Sequence, residues 1–236
     1  MPHTAPAILI TAGTRRLGLA MAKKSLALGY EVVLHYRSSN QEAQEWIEQN
    51  PHLSPKVHFV DADLRNSPSQ LIEEWCARFP YIEGLVNNAS VFNKGDLANF
   101  SHLKETLLIN ALIPMELAAA FSRSVKEGWI INITDANIYR SNLPYQNYRM
   151  SKRLLEDATR QLALAFAPRI RVNAIAPGAM LPAPGQSREE FLKLKQTIPL
   201  RKTGSMESLQ SAYEYLIKNT YITGQIMYVD GGRHIG

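Results

Sequence analysis

Short apolar runs alternate with stretches of helical period from one end of the chain to the other. The runs Ala7–Thr11, Glu31–His35, Lys56–Val60, Gly84–Asn87, Trp129–Thr134, Arg171–Ala174 and Gln225–Val229 have the length of strands. Runs that are apolar nearly throughout suit strands buried on both faces. Between them, Arg16–Leu28, Gln41–Gln49, Ser67–Arg78, Ser101–Glu127, Asn147–Ala167 and Met206–Lys218 carry the helical pattern. This order predicts an α/β fold: a doubly wound parallel sheet of Rossmann type, with helices on both faces and right-handed crossovers. Gly29 follows Leu28 and is suited to a left-handed cap on the first helix. Pro114 predicts a kink in the fourth helix. With no linker and no internal repeat, residues 1–236 read as a single domain. The one compositional break, Pro177–Gln186, precedes a helical Arg188–Gln196 and predicts a substrate lid around residues 178–197.

Composition narrows the function classes. The 236 residues carry a formal net charge of +5, yet the basic residues are scattered, without a basic arm or an aromatic-basic repeat, so nucleic acid is not an expected partner. The single cysteine, Cys76, excludes an intrachain disulfide and a cysteine zinc cluster. The six histidines show no ligand spacing, so no metal is expected. No segment reads as a run of about 20 apolar residues, so no membrane span is expected. The opening Met-Pro-His-Thr-Ala-Pro lacks the pattern of a signal peptide, which makes a cytoplasmic enzyme the expectation.

Candidate chemistry begins where the first strand meets the first helix. In Thr11-Ala12-Gly13-Thr14-Arg15-Arg16-Leu17-Gly18, Gly13 can make the tight turn and Gly18 can let helix and strand approach. The helix start then offers N–H groups to a pyrophosphate. Ala12 and Arg16 stand where such turns usually carry glycine. Arg16 suits an anionic ligand, although it also reads as a solvent-facing helix residue. The second strand runs into His35-Tyr36-Arg37-Ser38-Ser39, without the acid that would accept from a free ribose 2′-hydroxyl. Arg37 and Ser38 supply donors for a 2′-phosphate, so NADPH is the expected cofactor. Asp63-Leu64 can contact the adenine, or Asp63 can cap a helix. Tyr148 and Lys152, four residues apart, share a helix face. The lysine ammonium is expected to lower the phenol pKa, fitting the pair for proton transfer beside a hydride donor.

Together, Thr11–Gly18, Asp63, Asn87–Ala89, Asn110, Tyr148/Lys152, Pro177-Gly178 and Asp230-Gly231-Gly232 make nearly the whole chain resemble the short-chain dehydrogenase/reductase family. The resemblance implies that Asn110 bends its helix and helps hold a proton-relay water, that Pro177-Gly178 lies against the nicotinamide, and that the protein is a homotetramer with the fourth and fifth helices at an interface. One position departs from the family: Asp135 stands where a catalytic serine is usual. A carboxyl group can orient water, accept from an amino-substituted ring or, when protonated, act as an acid. It also reads as a strand-end residue capping the next turn. With Asp135, Tyr148 and Lys152, the Arg-bearing turn, His35-Tyr36-Arg37-Ser38 and Asn88-Ala89-Ser90 are similar to the pteridine reductases and to bacterial dihydromonapterin/dihydrofolate reductases.

That likeness implies NADPH-dependent hydride transfer to a C=N bond of a pterin, with protons from Tyr148 and Asp135. It implies a pterin stacked on Phe92, which otherwise reads as core, with Arg16 and Ser90 touching phosphate and substrate. Gly13, Leu17, Gly18, Leu64, Asn88 and Ala89 complete the implied cofactor contacts. Two alternatives stay open: a carbonyl reductase such as a 3-oxoacyl-carrier-protein reductase, and a non-catalytic NADPH-binding regulator.

Overall fold

The computed structural model describes residues 5–95, 97–139, 144–183 and 185–235. Pro184, inside the lid predicted above, lies outside them. The elements follow in the order β1 (Ala7–Ile10), α1 (Arg16–Ala27), β2 (Glu31–Tyr36), α2 (Gln41–Glu48), β3 (Val57–Asp61), α3 (Pro68–Arg78), β4 (Ile82–Asn87), α4 (Phe100–Leu107), α5 (Ile113–Ser124), β5 (Gly128–Ile133), α6 (Gln146–Phe166), β6 (Ile170–Pro177), α7 (Arg188–Lys193), α8 (Met206–Lys218) and β7 (Ile226–Val229). Among the described residues the strands form one 7-stranded sheet, ordered β3-β2-β1-β4-β5-β6-β7. Every pairing is parallel. The strand order reverses between β1 and β4, and in such sheets ligands bind beyond the carboxyl ends of the strands at that switch point.

The strand alternation sorts the core into two layers. Ala7 and Leu9 of β1 face a cluster with Ile72, Leu117 and Phe121 from α3 and α5. Ile8 and Ile10 face the opposite cluster, with Leu19, Met21, Leu209 and Tyr213 from α1 and α8. Each fully buried side chain of this size contributes roughly 1.5–3 kcal/mol over leaving it exposed. A buried polar thread crosses the sheet beneath the site. Asn87 Nδ2 donates to Asn132 Oδ1 at 2.9 Å, and Asn132 Nδ2 donates to Thr159 Oγ1 on α6 at 2.9 Å.

Several boundaries differ from the sequence reading. The single helix Ser101–Glu127 is α4 and α5 joined by a π-helical turn at Leu108–Leu112, and α5 stops at Ser124. The disturbance lies before Pro114 instead of at it. Proline has no N–H to give and crowds the carbonyl one turn back, and the wider turn accommodates both. The expected Lys56 strand start belongs to a 3-10 segment, Pro51–Lys56, and the helical Arg188–Gln196 changes from α to 3-10 after Lys193. Phe100–Ser124, taken whole, has a window of mean hydropathy 1.2, long and apolar enough to cross a membrane, contrary to the sequence reading. More than half of that window is buried inside the fold, as for a core helix.

Candidate active site

The phosphate turn is braced from three sides. Asn88 Nδ2 donates to the carbonyls of Thr11 and Ala12, both at 3.0 Å, and the Asn88 and Ala89 N–H groups donate to Thr11 Oγ1. His35, buried below the turn, accepts the Ala12 N–H on Nδ1 at 3.1 Å, leaving Nε2–H to donate to Ala62 O at 3.0 Å. Burial lowers the His35 pKa, so the ring stays neutral, as this pair of bonds requires. A Cβ on Gly18 would sit 2.3 Å from Ala12 O, so only glycine lets helix and turn close here. Ala12 and Arg16 adopt left-handed backbone, with φ of 48° and 50°. Both therefore keep the conformation that glycine would supply, at the cost of backbone strain.

Helix α1 starts directly after the phosphate turn. Arg15 occupies the N-cap without a side-chain capping bond, and the first turn holds no acidic residue. Beside it lies a cleft of about 180 Å³ lined by Ala12, Thr14, Arg15, His35–Ser39, Asp63–Arg65, Ala89–Val91, Ile109 and Ile113. Arg15 and Arg37 beside one cleft, with Arg65 paired to Asp63, and a helix start at its edge fit a dinucleotide carrying an extra phosphate. Asp63 does not cap α3, whose N-cap is Ser67. Its carboxylate instead accepts Arg65 Nε at 2.9 and 3.0 Å and pairs with Arg65 Nη2, which holds its pKa down at about 2. Leu17 is turned toward the hydrophobic layer of α1, leaving only its backbone near the turn.

Farther along the same edge, β5 delivers Asp135 and α6 delivers Tyr148 and Lys152. Tyr148 Oη donates to Asp135 Oδ2 at 2.9 Å, while Asp135 Oδ1 accepts the Asn137 N–H at 2.6 Å. Asp135 thus caps the turn after β5 and engages the phenol at once. Lys152 Nζ donates to Ile133 O at 2.7 Å. Burial drives all three groups toward their neutral forms: Asp135 is raised, Tyr148 is raised well above the usual phenol range, and Lys152 falls to about 8. The expectation that the lysine lowers the Tyr148 pKa is reversed. Tyr148 is buried against a carboxylate that penalises the phenolate, and the ammonium is spent on a backbone carbonyl.

Asn110 sits in the π-helical turn, fully buried. Its Oδ1 accepts from Val91 N–H at 2.8 Å and Ser90 Oγ at 3.1 Å, and its Nδ2 donates to Val91 O at 2.9 Å and Ser151 Oγ at 3.0 Å. It therefore ties the loop after β4 to the helix carrying Lys152. Phe92 is 46% exposed and not core; it stacks on Tyr145 at 4.6 Å and meets Tyr148 edge-on at 4.7 Å. Arg16 Nη2 donates to Pro182 O at 2.9 Å in the loop after β6. A Cβ on Gly178 would lie 2.7 Å from Asp230, so the Pro177-Gly178 bend fits closely under the Asp230 segment. His234 binds Asp230 Oδ2 at 2.9 Å and stacks on Tyr228 at 4.1 Å.

Thr14, Arg15, Arg65, Val91, Ile109 and Ile113 line the cleft without having been singled out as ligand contacts in the sequence. Arg15 and Arg65 sit beside residues already singled out, and their charge was the available signal. Ile109 and Ile113 come from the far side of the sheet switch, and only the fold brings them in. Glu156, one turn beyond Lys152 on α6, was also missed. It is fully buried, accepts hydroxyls from Thr134, Tyr139 and Tyr228, and has its pKa raised by burial.

Residues 11–234 match the family described as enoyl-(acyl carrier protein) reductase. The chain is 30% identical to pteridine reductase 1 of Leishmania tarentolae, covering 97% of this chain and 96% of that one. It is also 30% identical to a 3-oxoacyl-(acyl-carrier-protein) reductase of Aquifex aeolicus, covering 95% of each. Among solved structures, FolM alternative dihydrofolate reductase 1 from Brucella suis, in complex with NADP, superposes with a TM-score of 0.91 at 31% identity, covering 100% of this chain and 97% of that one.

Proposed function

The chain belongs to the short-chain dehydrogenase/reductase family, and on that premise we propose that it is an NADPH-dependent reductase of a pterin C=N bond. The observation that carries the substrate class is the Tyr148–Asp135 hydrogen bond, because it places a phenol and a carboxyl where both favour holding a proton. When bound, NADPH supplies the hydride. The turn at Ala12–Gly18 and the arginine-lined cleft hold its phosphates, with Arg37 and Ser38 at the 2′-phosphate and Leu64 and Ala89 toward the adenine and ribose.

The protein's own groups manage the protons. Tyr148 stays protonated at neutral pH and donates to the ring nitrogen that gains electron density. Protonated Asp135 orients the ring through its amino substituent, passes its proton to Tyr148 as the phenol gives one up, carries the charge in the interval and is reprotonated from solvent. The Lys152 ammonium steadies the Asp135 charge and anchors the end of β5. The exposed face of Phe92 offers the ring a stacking surface, while Arg16 and Ser90 border it. Asn110 keeps Ser90 and Val91 in place. The loop around residues 178–197 closes over the substrate, with the Arg16–Pro182 bond as its contact to the phosphate turn. Exposed Leu112, Met150, Leu154 and Leu164 on α6 and the π-helical turn support a homotetramer formed through these helices.

The test is NADPH oxidation against dihydromonapterin, dihydrobiopterin, dihydrofolate and an acetoacetyl thioester, with Asp135→Ser in parallel. Pterin turnover that the substitution abolishes is the expected result. Turnover of the thioester alone, or pterin turnover indifferent to the substitution, overturns the reading in favour of carbonyl reduction. Relatives that are 3-oxoacyl reductases at similar identity make that second reading the one to measure against.

A further inference from the structure

Strands β2 and β3 are paired up to Tyr36 and Asp61, so Arg37 and Asp63 leave adjacent strand ends side by side and line the same cleft. That neighbourhood is a problem for a 2′-phosphate. A carboxylate next to Arg37 competes for its guanidinium and repels the incoming phosphate. In this chain the carboxylate is already taken. Arg65 covers both Asp63 oxygens with the fork of its guanidinium, and the Arg65 N–H donates to Oδ1 at 3.0 Å. Glu105 on α4, 4.0 Å from Arg65 Nη1, steadies the other side of the guanidinium. The Arg37 charge still reaches Asp63 and helps to depress its pKa, so the two side chains lie within each other's field.

We propose that Arg65 sets the preference for NADPH over NADH by occupying Asp63, which leaves Arg37 free for the 2′-phosphate. This rests on the NADPH reading above. Arg65 is a positioning residue here: it acts on the cofactor through Asp63, with a bidentate carboxylate pair as the holding device. Without it, Arg37 turns onto Asp63. The site then holds a neutral pair, or a bare carboxylate able to accept from the free 2′-hydroxyl of NADH.

Binding of NADPH and of NADH is measured by fluorescence titration for the wild-type protein, Arg65→Ala, and the double variant Arg65→Ala/Asp63→Asn. The readout is the ratio of the two affinities, because adenine contacts and any general loosening affect both nucleotides alike. The amide oxygen that Asp63→Asn introduces can still accept the backbone N–H of residue 65, so the turn is kept in the double variant. Arg65→Ala is expected to lower the NADPH/NADH ratio about tenfold, and the double variant to bring it back to within about threefold of wild type. An unchanged ratio in Arg65→Ala overturns the proposal. So does a ratio that stays low in the double variant, which would mean that Arg65 grips the phosphate itself. A wild-type protein with no preference for NADPH would instead remove the cofactor reading, and the role of Arg65 with it.

Discussion

The two ends of the site solve opposite electrostatic problems. At the nucleotide end, Arg15, Arg37 and the Arg65–Asp63 pair stand at the rim of an open cleft, where charge remains hydrated and acts by attraction. At the reaction end, Tyr148 and Lys152 are buried, Asp135 is half-buried, and all three are joined to one another or to backbone, so that burial changes which of them holds a proton. Countercharge in water is adjustable and sensitive to salt; a buried proton network is rigid and sensitive to pH. The same sheet edge thus separates recognition of the cofactor from control of the proton.

Tyr148→Phe should break that separation most sharply, lowering kcat about 10²–10⁴-fold while NADPH affinity stays within about threefold in a fluorescence titration. A matching loss of affinity would show that the two ends are not independent. Arg37→Ala should do the converse, weakening NADPH about tenfold or more with kcat at saturation nearly intact. The pH dependence separates the ends again. Lys152 is an ammonium below about 8 and neutral above it, so kcat should fall as pH rises through about 8, and Lys152→Met should remove that limb. Raising the salt concentration tenfold, from about 50 mM to about 500 mM, is a general test: the KM for NADPH should rise several-fold while kcat moves little. The smallest effect expected is on stability. Asp63→Asn breaks a partly exposed ion pair and should cost at most about 1 kcal/mol in denaturant unfolding.

Much of the fold was legible because parallel strands advertise themselves. Ala7–Ile10 and Glu31–Tyr36 are almost wholly buried, and a run apolar on both faces has few other uses. The edges were less legible. Glu83 interrupts the apolar pattern, so β4 read as starting at Gly84 although it begins at Ile82. The π-helical turn at Leu108–Leu112 left no periodic trace, since one extra residue in a turn barely disturbs an apolar stripe. In the site, the order of Gly13, Gly18, Asn88, Tyr148 and Lys152 indicated the chemistry. What the sequence could not convey was partnership: that Tyr148 meets Asp135 and Lys152 a backbone carbonyl, or that Arg65 folds back on Asp63. Those contacts follow from strand ends and helix faces meeting in space.

The left-handed backbone at Ala12 and Arg16 bears on when the phosphate turn becomes ordered. Glycine at these positions would reach the same angles without strain but would leave the unfolded chain freer, and the native turn looser. Alanine and arginine hold the shape under tension of about 1–2 kcal/mol each, borne at Ala12 by the Asn88 and His35 hydrogen bonds around it. The ordering is thus completed during folding, so an anion arriving at the turn meets amide groups already aimed and has little conformational entropy left to remove.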